Sequence, residues 1–335
     1  MNATPPKQLA AGSPAPLRVA LVGCGQIADA HLQEIAKLSS ARVVATCDAL
    51  RDLAMQAAAR FNVPAVYDDL ALMLAEVRPD VVHIATPAHT HFDLARQCLL
   101  AGCHVYVEKP FTQTAAEAET LVAIARESGL QITVGHDQLF DPAWLDLEER
   151  IARGEIGSVT HVESVLGYPI SGQFGSQVSG DPRHWVRRLP GGLFQNTISH
   201  PLYRITEFLT DVQPKVIADW ARRPGLDFPT ELNVVLRGEK VTGTLTFSSS
   251  IPSQRNHARL WNDGSTRSRL RWAGCPDRRP RQGPRRVRQA AHAIRSSGGS
   301  ETKPAAQSVA VRESRHSLLR GTQGAVRRVL PLNFR

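Results

Sequence analysis

The chain has 335 residues, of which 42% are hydrophobic and 21% charged, a length and balance that predict about two folded domains and exclude disorder across the whole chain. No apolar run approaches the roughly 20 residues of a membrane-spanning helix, and five cysteines without a CxxC pair exclude a disulfide scaffold and a zinc ribbon. The net charge of +9 is unevenly distributed, because residues 266–335 hold 17 Lys and Arg against 3 Asp and Glu, which leaves residues 1–265 at −5.

The amino end, residues 1–16, is rich in Ala and Pro and contains one Lys. A secretory signal needs a basic start followed by an apolar stretch, and this segment has neither. We therefore expect a short flexible leader and a cytoplasmic protein with reduced cysteines.

Residues 17–140 alternate between short apolar strands and amphipathic helices. The predicted strands are 17–22, 41–47, 81–85, 104–107 and 131–134. Helices between them are marked by apolar residues at helical spacing, such as Ala54, Ala58 and Phe61. Because this alternation requires crossover connections, it predicts an α/β domain with a doubly wound parallel sheet of the Rossmann type.

The first predicted strand runs into Gly23-Cys24-Gly25-Gln26-Ile27-Ala28, a G-x-G-x-x-A fingerprint. Gly23 permits a tight turn, Gly25 lets the backbone approach a pyrophosphate, and Ala28 allows the helix to pack closely on the strand. The helix amino terminus then presents free N–H groups to the phosphates. The pattern therefore predicts a dinucleotide cofactor, with a plain glycine turn as the alternative.

An acidic residue, Asp48, lies at the end of the second strand, 20 residues after Ala28. A carboxylate there accepts hydrogen bonds from the adenosine ribose and repels a 2′-phosphate, so NAD is favoured over NADP. The nearby Arg51 weakens that preference, because an arginine can accommodate the 2′-phosphate.

The tripeptide Glu108-Lys109-Pro110 ends the fourth strand, at the edge of the sheet where doubly wound domains bind their ligands. A lysine in this place could donate to a substrate hydroxyl and stabilise negative charge that develops on its oxygen. The alternative is a surface Glu–Lys pair before a turn proline.

With these motifs the sequence resembles the Gfo/Idh/MocA oxidoreductases over about residues 17–261. Further matching motifs are Ala85-Thr86-Pro87 with His91, Ala101-Gly102-x-His104-Val105, Gly154-x-Ile156-Gly157, and Gly191-Gly192 followed by His200. The resemblance implies a second α/β domain, residues 141–265, with an open, mostly antiparallel sheet that often mediates dimers or tetramers. It also implies hydride transfer between nicotinamide and a sugar, cyclitol or sugar nucleotide, hence a small-molecule substrate and a homodimer or homotetramer.

The resemblance extends to individual site residues. Beside the fingerprint and Asp48, it implies that Thr86, Pro87, His91, Glu108 and Lys109 contact the cofactor. It also implies that Lys109, Asn196 and His200 bind the substrate. It implies chemistry on Lys109 and on an aspartate–histidine pair, for which this sequence has Asn196 and His200. Tyr203 stands where an acid often follows the histidine.

The neutral Asn196 affects the expected mechanism. A base at His200 could take the proton that an alcohol releases as hydride leaves, and an anionic partner would raise the basicity of the imidazole. Asn196 supplies no charge, so two hypotheses remain open: a variant dehydrogenase with a weaker base, or a cofactor-binding regulatory or catalytically impaired protein. Alternatively, His200 caps or packs within a helix through Leu202, Ile205 and Leu209.

The segment 167–188 is predicted to be a substrate loop with glycine hinges, the alternative being a flexible surface loop. Trp185 and Arg187 are the nearest match to a Trp-Arg stretch that lies near the cofactor in the family. Arg183, His184 and Arg188 could join Arg187 in binding an anionic group. No metal site is expected, because His89 and His91 have no carboxylate or cysteine cluster beside them.

Strands of the second domain are predicted at 215–219, 232–237, 241–250 and 257–261, after which the pattern stops near Gly264. Residues 266–335 show no sustained period, and the second domain is expected to lack its end. Three explanations for this tail are open: a disordered basic extension that binds nucleic acid or an acidic partner, an unrelated insertion, or out-of-frame translation of a GC-rich gene. We favour the third, because family pattern and charge balance fail at the same place.

Overall fold

Two β-sheets organise the residues that the computed structural model describes, which are 15–211, 213–252, 254–262 and 270–273. The first sheet has six parallel strands. They are β1 (Leu17–Val22), β2 (Ala41–Cys47), β3 (Ala65–Tyr67), β4 (Val81–Ile84), β5 (His104–Val107) and β6 (Ile132–Val134).

Five helices connect these strands. They are α1 (Ala28–Ala36), α2 (Arg51–Phe61), α3 (Leu70–Val77), α4 (His91–Leu100) and α5 (Ala115–Glu127). The strand order is β3-β2-β1-β4-β5-β6, which confirms the predicted doubly wound sheet. The order reverses between β1 and β4, and doubly wound sheets bind their ligands at the carboxyl ends of the strands at such a point.

Two elements of this domain, β3 and α3, have no counterpart in the sequence prediction. The strand β3 has only three residues, too few to show a period of two. The helix α3 is apolar on most of its circumference, which removes the one-sided pattern that identifies a helix.

The second sheet is open and mixed, with the order β12-β11-β7-β10-β9-β8. Its strands are β7 (Val159–Gly167), β8 (Lys215–Ala221), β9 (Glu231–Arg237), β10 (Thr242–Ser248), β11 (Gln254–Asn262) and β12 (Leu270–Ala273). Among these described strands only β7 and β10 pair in parallel, so the expected mostly antiparallel sheet is confirmed. Leu232, Val234 and Leu236 of β9 alternate with exposed residues, as expected for a sheet with one buried face.

Four helices accompany this sheet. They are α6 (Pro142–Ala152), α7 (Gln173–Gly180), α8 (Gly192–Thr197) and α9 (Ser199–Thr206). The core contains Trp144 from α6, Phe194 from α8, Tyr203 from α9 and Phe247 from β10. The helices thus cover the buried face and bring α8 and α9 towards the first domain.

The prediction that residues 167–188 form an irregular loop is wrong. This segment contains α7 and a 3₁₀ turn at Trp185–Arg188, with Val178 and Val186 fully buried. Gly175 lies within α7, and a Cβ there would lie 2.5 Å from the carbonyl oxygen of Ile170, so close packing accounts for this glycine. Burial of two valines therefore fixes a segment whose glycines had suggested flexibility.

The second sheet extends beyond residue 265, since β12 pairs antiparallel with β11 inside the segment predicted to be a patternless tail. A four-residue strand is too short to show a sustained period in the sequence. The rest of that tail, residues 266–269 and 274–335, and most of the predicted leader, residues 1–14, lie outside the described residues.

Candidate active site

The glycine turn after β1 is shaped by its contact with the end of β4. Gly23 has a φ of +92°, and a Cβ on it would lie 2.7 Å from the carbonyl carbon of Ala85. Its N–H donates to the carbonyl of Cys47 at 2.8 Å. Only glycine combines this positive φ with this close approach, so the turn is held against both neighbouring strands.

The other half of the turn is open. A Cβ on Gly25 would meet nothing within 4 Å, Gln26 and Ile27 are exposed, and Ile27 starts α1 without a side-chain cap. Ala28 is fully buried and lets α1 approach the sheet. This open turn at the positive end of a helix dipole fits the pyrophosphate of a dinucleotide.

Asp48 is tied to the glycine turn through backbone hydrogen bonds. Its Oδ2 accepts from the N–H of Cys24 at 2.7 Å, and its Oδ1 accepts from the N–H of Leu50 at 2.9 Å. A carboxylate oxygen has a second lone pair for a ribose hydroxyl. Arg51 lies with its Nη1 3.6 Å from Asp68 and is half exposed.

His91 is buried between two turns of the first domain, with 1% of its surface exposed. Its Nε2 lies 2.8 Å from the carbonyl oxygen of Thr86, and its Nδ1 lies 2.8 Å from that of Pro110. Burial lowers the pKa of His91, against the hydrogen bonds to these carbonyls, which raise it. His91 therefore acts on the site by positioning the Thr86–Pro87 turn and the turn after Lys109.

Glu108 is held by partners on both carboxylate oxygens. Its Oε1 lies 3.2 Å from Nε2 of His31, and its Oε2 accepts from the N–H of Lys109 at 3.1 Å. Burial raises the pKa of Glu108, but the hydrogen bond with His31 and the charge of Lys109 outweigh it, so the pKa is lowered. The carboxylate is thus ionised and fixed beside Lys109.

Lys109 reaches across to the second domain. Its Nζ donates to the main-chain carbonyl of Asn196 at 3.4 Å. Burial lowers the pKa of Lys109, against the opposing charges of Glu108 and Asp137. Because the contact uses the backbone of residue 196, it does not depend on whether that side chain is Asn or Asp.

Asn196 and His200 lie one helical turn apart. The hydrogen bonds of α8 and α9 continue across Ile198, with Ile198 N–H donating to Phe194 at 2.8 Å and Leu202 N–H to Ile198 at 2.9 Å. Residues four apart on such a helix share a face. The structure therefore brings Lys109, Asn196 and His200 to one place, at the carboxyl ends of the first domain's strands.

His200 has an acidic neighbour that the sequence analysis missed. Its Nδ1 lies 3.0 Å from the hydroxyl of Tyr203 and 3.6 Å from Oδ1 of Asp137. Asp137 lies in a 3₁₀ turn, Asp137–Phe140, directly after β6. Its position after a sheet strand was the available signal, but nothing in the sequence linked it to a residue 63 positions later.

Arg187 is committed within the second domain. Its guanidinium bonds to Asp227 and lies 4.9 Å from the ring centroid of Phe228, while Trp185 packs against the core. Arg183 is almost fully exposed, with Asp181 3.7 Å away. The charge of Arg187 is therefore already balanced by Asp227. The sequence had predicted that Arg187 would be free to bind an anionic group of the substrate.

The described parts of the chain contain no group of three His, Cys, Asp or Glu side chains suited to a metal ion. Nor does any helix among these residues have the length and apolarity needed to cross a bilayer.

Two family models match the chain. The oxidoreductase family with an NAD-binding Rossmann fold, GFO_IDH_MocA, matches residues 17–136. The GFO/IDH/MocA C-terminal domain matches residues 144–268. Together they span most of the chain and leave residues 137–143 between them.

Individual proteins show the same likeness. The chain is 33% identical to a D-glucoside 3-dehydrogenase of Escherichia coli over 145 residues, 43% of this chain and 41% of the relative. It is 27% identical to an inositol 2-dehydrogenase of Rhizobium meliloti over 198 residues, 59% of this chain and 56% of the relative. The chain thus spans about half the length of the curated relatives it matches.

A solved structure shares the fold. The WlbA dehydrogenase of Bordetella pertussis, in complex with NADH and UDP-GlcNAcA, superposes with a TM-score of 0.65 at 23% identity, covering 74% of this chain and 76% of that one.

Proposed function

Because the chain belongs to the Gfo/Idh/MocA oxidoreductase family, we propose that it is an NAD-dependent oxidoreductase that oxidises a secondary alcohol of a sugar, cyclitol or sugar nucleotide. The observation that carries the proposal is the contact of Lys109 Nζ with the carbonyl of Asn196. That contact supports a site in which the ammonium group of Lys109 and the imidazole of His200, one helical turn after Asn196, act together on an alcohol, which needs both a donor and a base.

The open turn at Gly25 would hold the pyrophosphate, and Asp48 the adenosine ribose. The acid at position 48 favours NAD over NADP, and the proximity of Arg51 to Asp68 supports this preference. When bound, NAD supplies the nicotinamide carbon that accepts the hydride.

The protein's own residues would handle the substrate. Lys109 donates a hydrogen bond to the reacting oxygen, and His200 takes the hydroxyl proton at Nε2, the nitrogen opposite Tyr203. The carbon-bound hydrogen leaves as hydride with its electron pair, and the alcohol becomes a ketone. General base help of this kind contributes about 10²–10⁴-fold.

Trp185 and Arg187 stay proposed substrate-binding residues, although the guanidinium of Arg187 is paired with Asp227. A homodimer or homotetramer is proposed on the outer face of the second sheet. There Ile217 and Val235 are register partners on β8 and β9 with exposed fractions of 51% and 37%.

The test is NADH formation across a panel of sugars, cyclitols and sugar nucleotides, with NADP in parallel. We expect turnover with NAD on at least one class, and an about 10²-fold lower kcat for His200→Gln. The second candidate, favoured by the neutral Asn196, is a cofactor-binding protein without turnover. Tight NAD binding with no NADH formed on any substrate would support that candidate instead.

A further inference from the structure

Asp137 lies between the two segments of the chain that match the family models. It belongs to neither matched domain, and it comes from the chain segment that leads from β6 to α6. Its side chain is 70% exposed, on the side of the cleft where His200 lies.

Three hydrogen bonds converge on the hydroxyl of Tyr203. It donates to Oδ1 of Asp137 at 3.4 Å and accepts from the N–H of Gln138 at 3.3 Å. The remaining lone pair faces Nδ1 of His200 at 3.0 Å. A phenol has one proton and two lone pairs, so this set is complete only if His200 carries its proton on Nδ1.

That tautomer has a chemical consequence. With the proton on Nδ1, Nε2 keeps the lone pair that a general base needs. Asp137, 3.6 Å from Nδ1, would stabilise the imidazolium that forms when Nε2 takes a proton. Burial raises the pKa of Tyr203, so its hydroxyl stays protonated and keeps donating to Asp137.

The segment that carries Asp137 is held in place by α9. Arg204, which is 1% exposed, bonds through its guanidinium to the side chain of Gln138. The ring of His136 lies 4.5 Å from that of Tyr203. The residues on either side of Asp137 are therefore held by their contacts with α9.

We propose that Asp137 is the carboxylate partner of His200, acting through the hydroxyl of Tyr203 and replacing the charge that Asn196 lacks. This positioning role rests on the proposed function. Charged and titratable groups around the pair come from three directions. They are Glu108 and Lys109 after β5, His136 after β6, and Tyr203 and Arg204 on α9.

The decisive measurement is the NMR titration of His200 in the full chain, because it needs no turnover. The 12 histidines require an assignment, which the missing signal of His200→Gln provides. Asp137→Asn removes the charge but keeps an oxygen for Tyr203, and we expect it to lower the pKa of His200 by about one unit. Asp146→Asn, the same change on the exposed face of α6, is the matched control and should leave that pKa unchanged.

A shift for Asp137→Asn below about 0.3 units, or equal to that of the control, overturns the proposal. Nitrogen chemical shifts give a second readout, and the wild type should show the Nδ1–H tautomer. A dominant Nε2–H tautomer would also overturn it. Thermal unfolding of each variant checks that the fold is retained.

Steady-state kinetics give a further test of the role of Asp137. If the wild type turns over, Asp137→Asn should move the ascending limb of the kcat–pH profile to lower pH and reduce the plateau about tenfold, with KM for NAD unchanged. Asp137→Asn combined with Tyr203→Phe should be no worse than Tyr203→Phe alone, because both act on one path, and additive losses would overturn it. A wild type without turnover would refute the proposed function, while the NMR arm still decides the role of Asp137.

Discussion

Gly23 and Gly25 lie two residues apart in one turn, but their surroundings differ. Gly23 faces the backbone of Ala85 with a positive φ, whereas Gly25 faces open space. The first glycine therefore serves the fold, and the second serves the proposed ligand.

This difference predicts opposite outcomes for two matched substitutions. Gly23→Ala should lower the Tm by about 4–8 °C, because a strained φ and a clash with main chain cost at least about 2 kcal/mol. Gly25→Ala should keep the Tm but weaken NAD binding about tenfold or more, since the methyl group occupies the proposed pyrophosphate space. Calorimetric unfolding and NAD titration would measure both, and unchanged NAD affinity in Gly25→Ala would contradict the proposed cofactor site.

Lys109 permits a sharp test at the same scale. Lys109→Met keeps the length of the side chain but removes the ammonium, so kcat should fall about 10²–10³-fold. Lys37→Met, which removes an exposed lysine paired with Glu34, is the control and should leave kcat unchanged. A loss below about threefold for Lys109→Met would exclude Lys109 from the chemistry.

At the level of elements, the register of β4 and β5 builds a buried histidine cluster beside the site. His83 and Tyr106 are register partners whose rings stack at 4.6 Å. His31 of α1 lies with its Nδ1 3.3 Å from Nδ1 of His83 and its Nε2 near Glu108. His31 on α1 thus contacts both the stacked rings of His83 and Tyr106 and the carboxylate of Glu108, which precedes Lys109.

Two buried histidines, His83 of this cluster and His136 after β6, predict that acid destabilises the fold. Burial lowers the pKa of His83 to about 3 and that of His136 to about 4, against 6.5 in the unfolded chain. As pH falls from 6.5 towards 4, the unfolded chain takes up protons that the folded chain does not. Each pH unit then costs about 1.4 kcal/mol per neutral histidine.

Urea unfolding at a series of pH values from 7 to 4 would measure this loss. His83→Gln should have a shallower dependence than the wild type, by about 1.4 kcal/mol per pH unit. The same slope in both proteins would show that His83 is not kept neutral.

At the level of the whole molecule, the contacts between the domains hold the site together. Gln195 accepts from the N–H of Gly191 and donates to the carbonyl of Gln113, while Lys109 donates to Asn196. These bonds join α8 to the first domain. All the residues in these bonds precede the basic segment that follows Ala273.

A chain that ends at Ala273 should therefore keep NAD affinity within about twofold of the full chain. Any nucleic-acid binding by the full chain should fall steeply with salt and vanish in the shortened chain, because it would depend on Arg side chains of the tail. NAD titration and salt-dependent binding of a DNA duplex would measure both. Loss of NAD binding on shortening would place the tail within the folded protein.

Local patterns in the sequence were enough to predict the nucleotide-binding domain. The glycine fingerprint, Asp48 and Lys109 lie at the ends of strands that their own apolar residues reveal, and His200 lies one turn after Asn196. Each of these inferences depends on residues that are near neighbours in the chain, where helical and strand periods act. The open, mostly antiparallel second sheet followed from the family resemblance.

Only the tertiary structure decided which distant residues meet. It places Asp137 beside His200, both ring nitrogens of His91 against backbone carbonyls, and Arg187 on Asp227. It also gives residues 173–180 a helix, because Val178 is buried there. These contacts follow from how two sheets and their helices pack, and a one-dimensional pattern carries no record of neighbours that come from far along the chain.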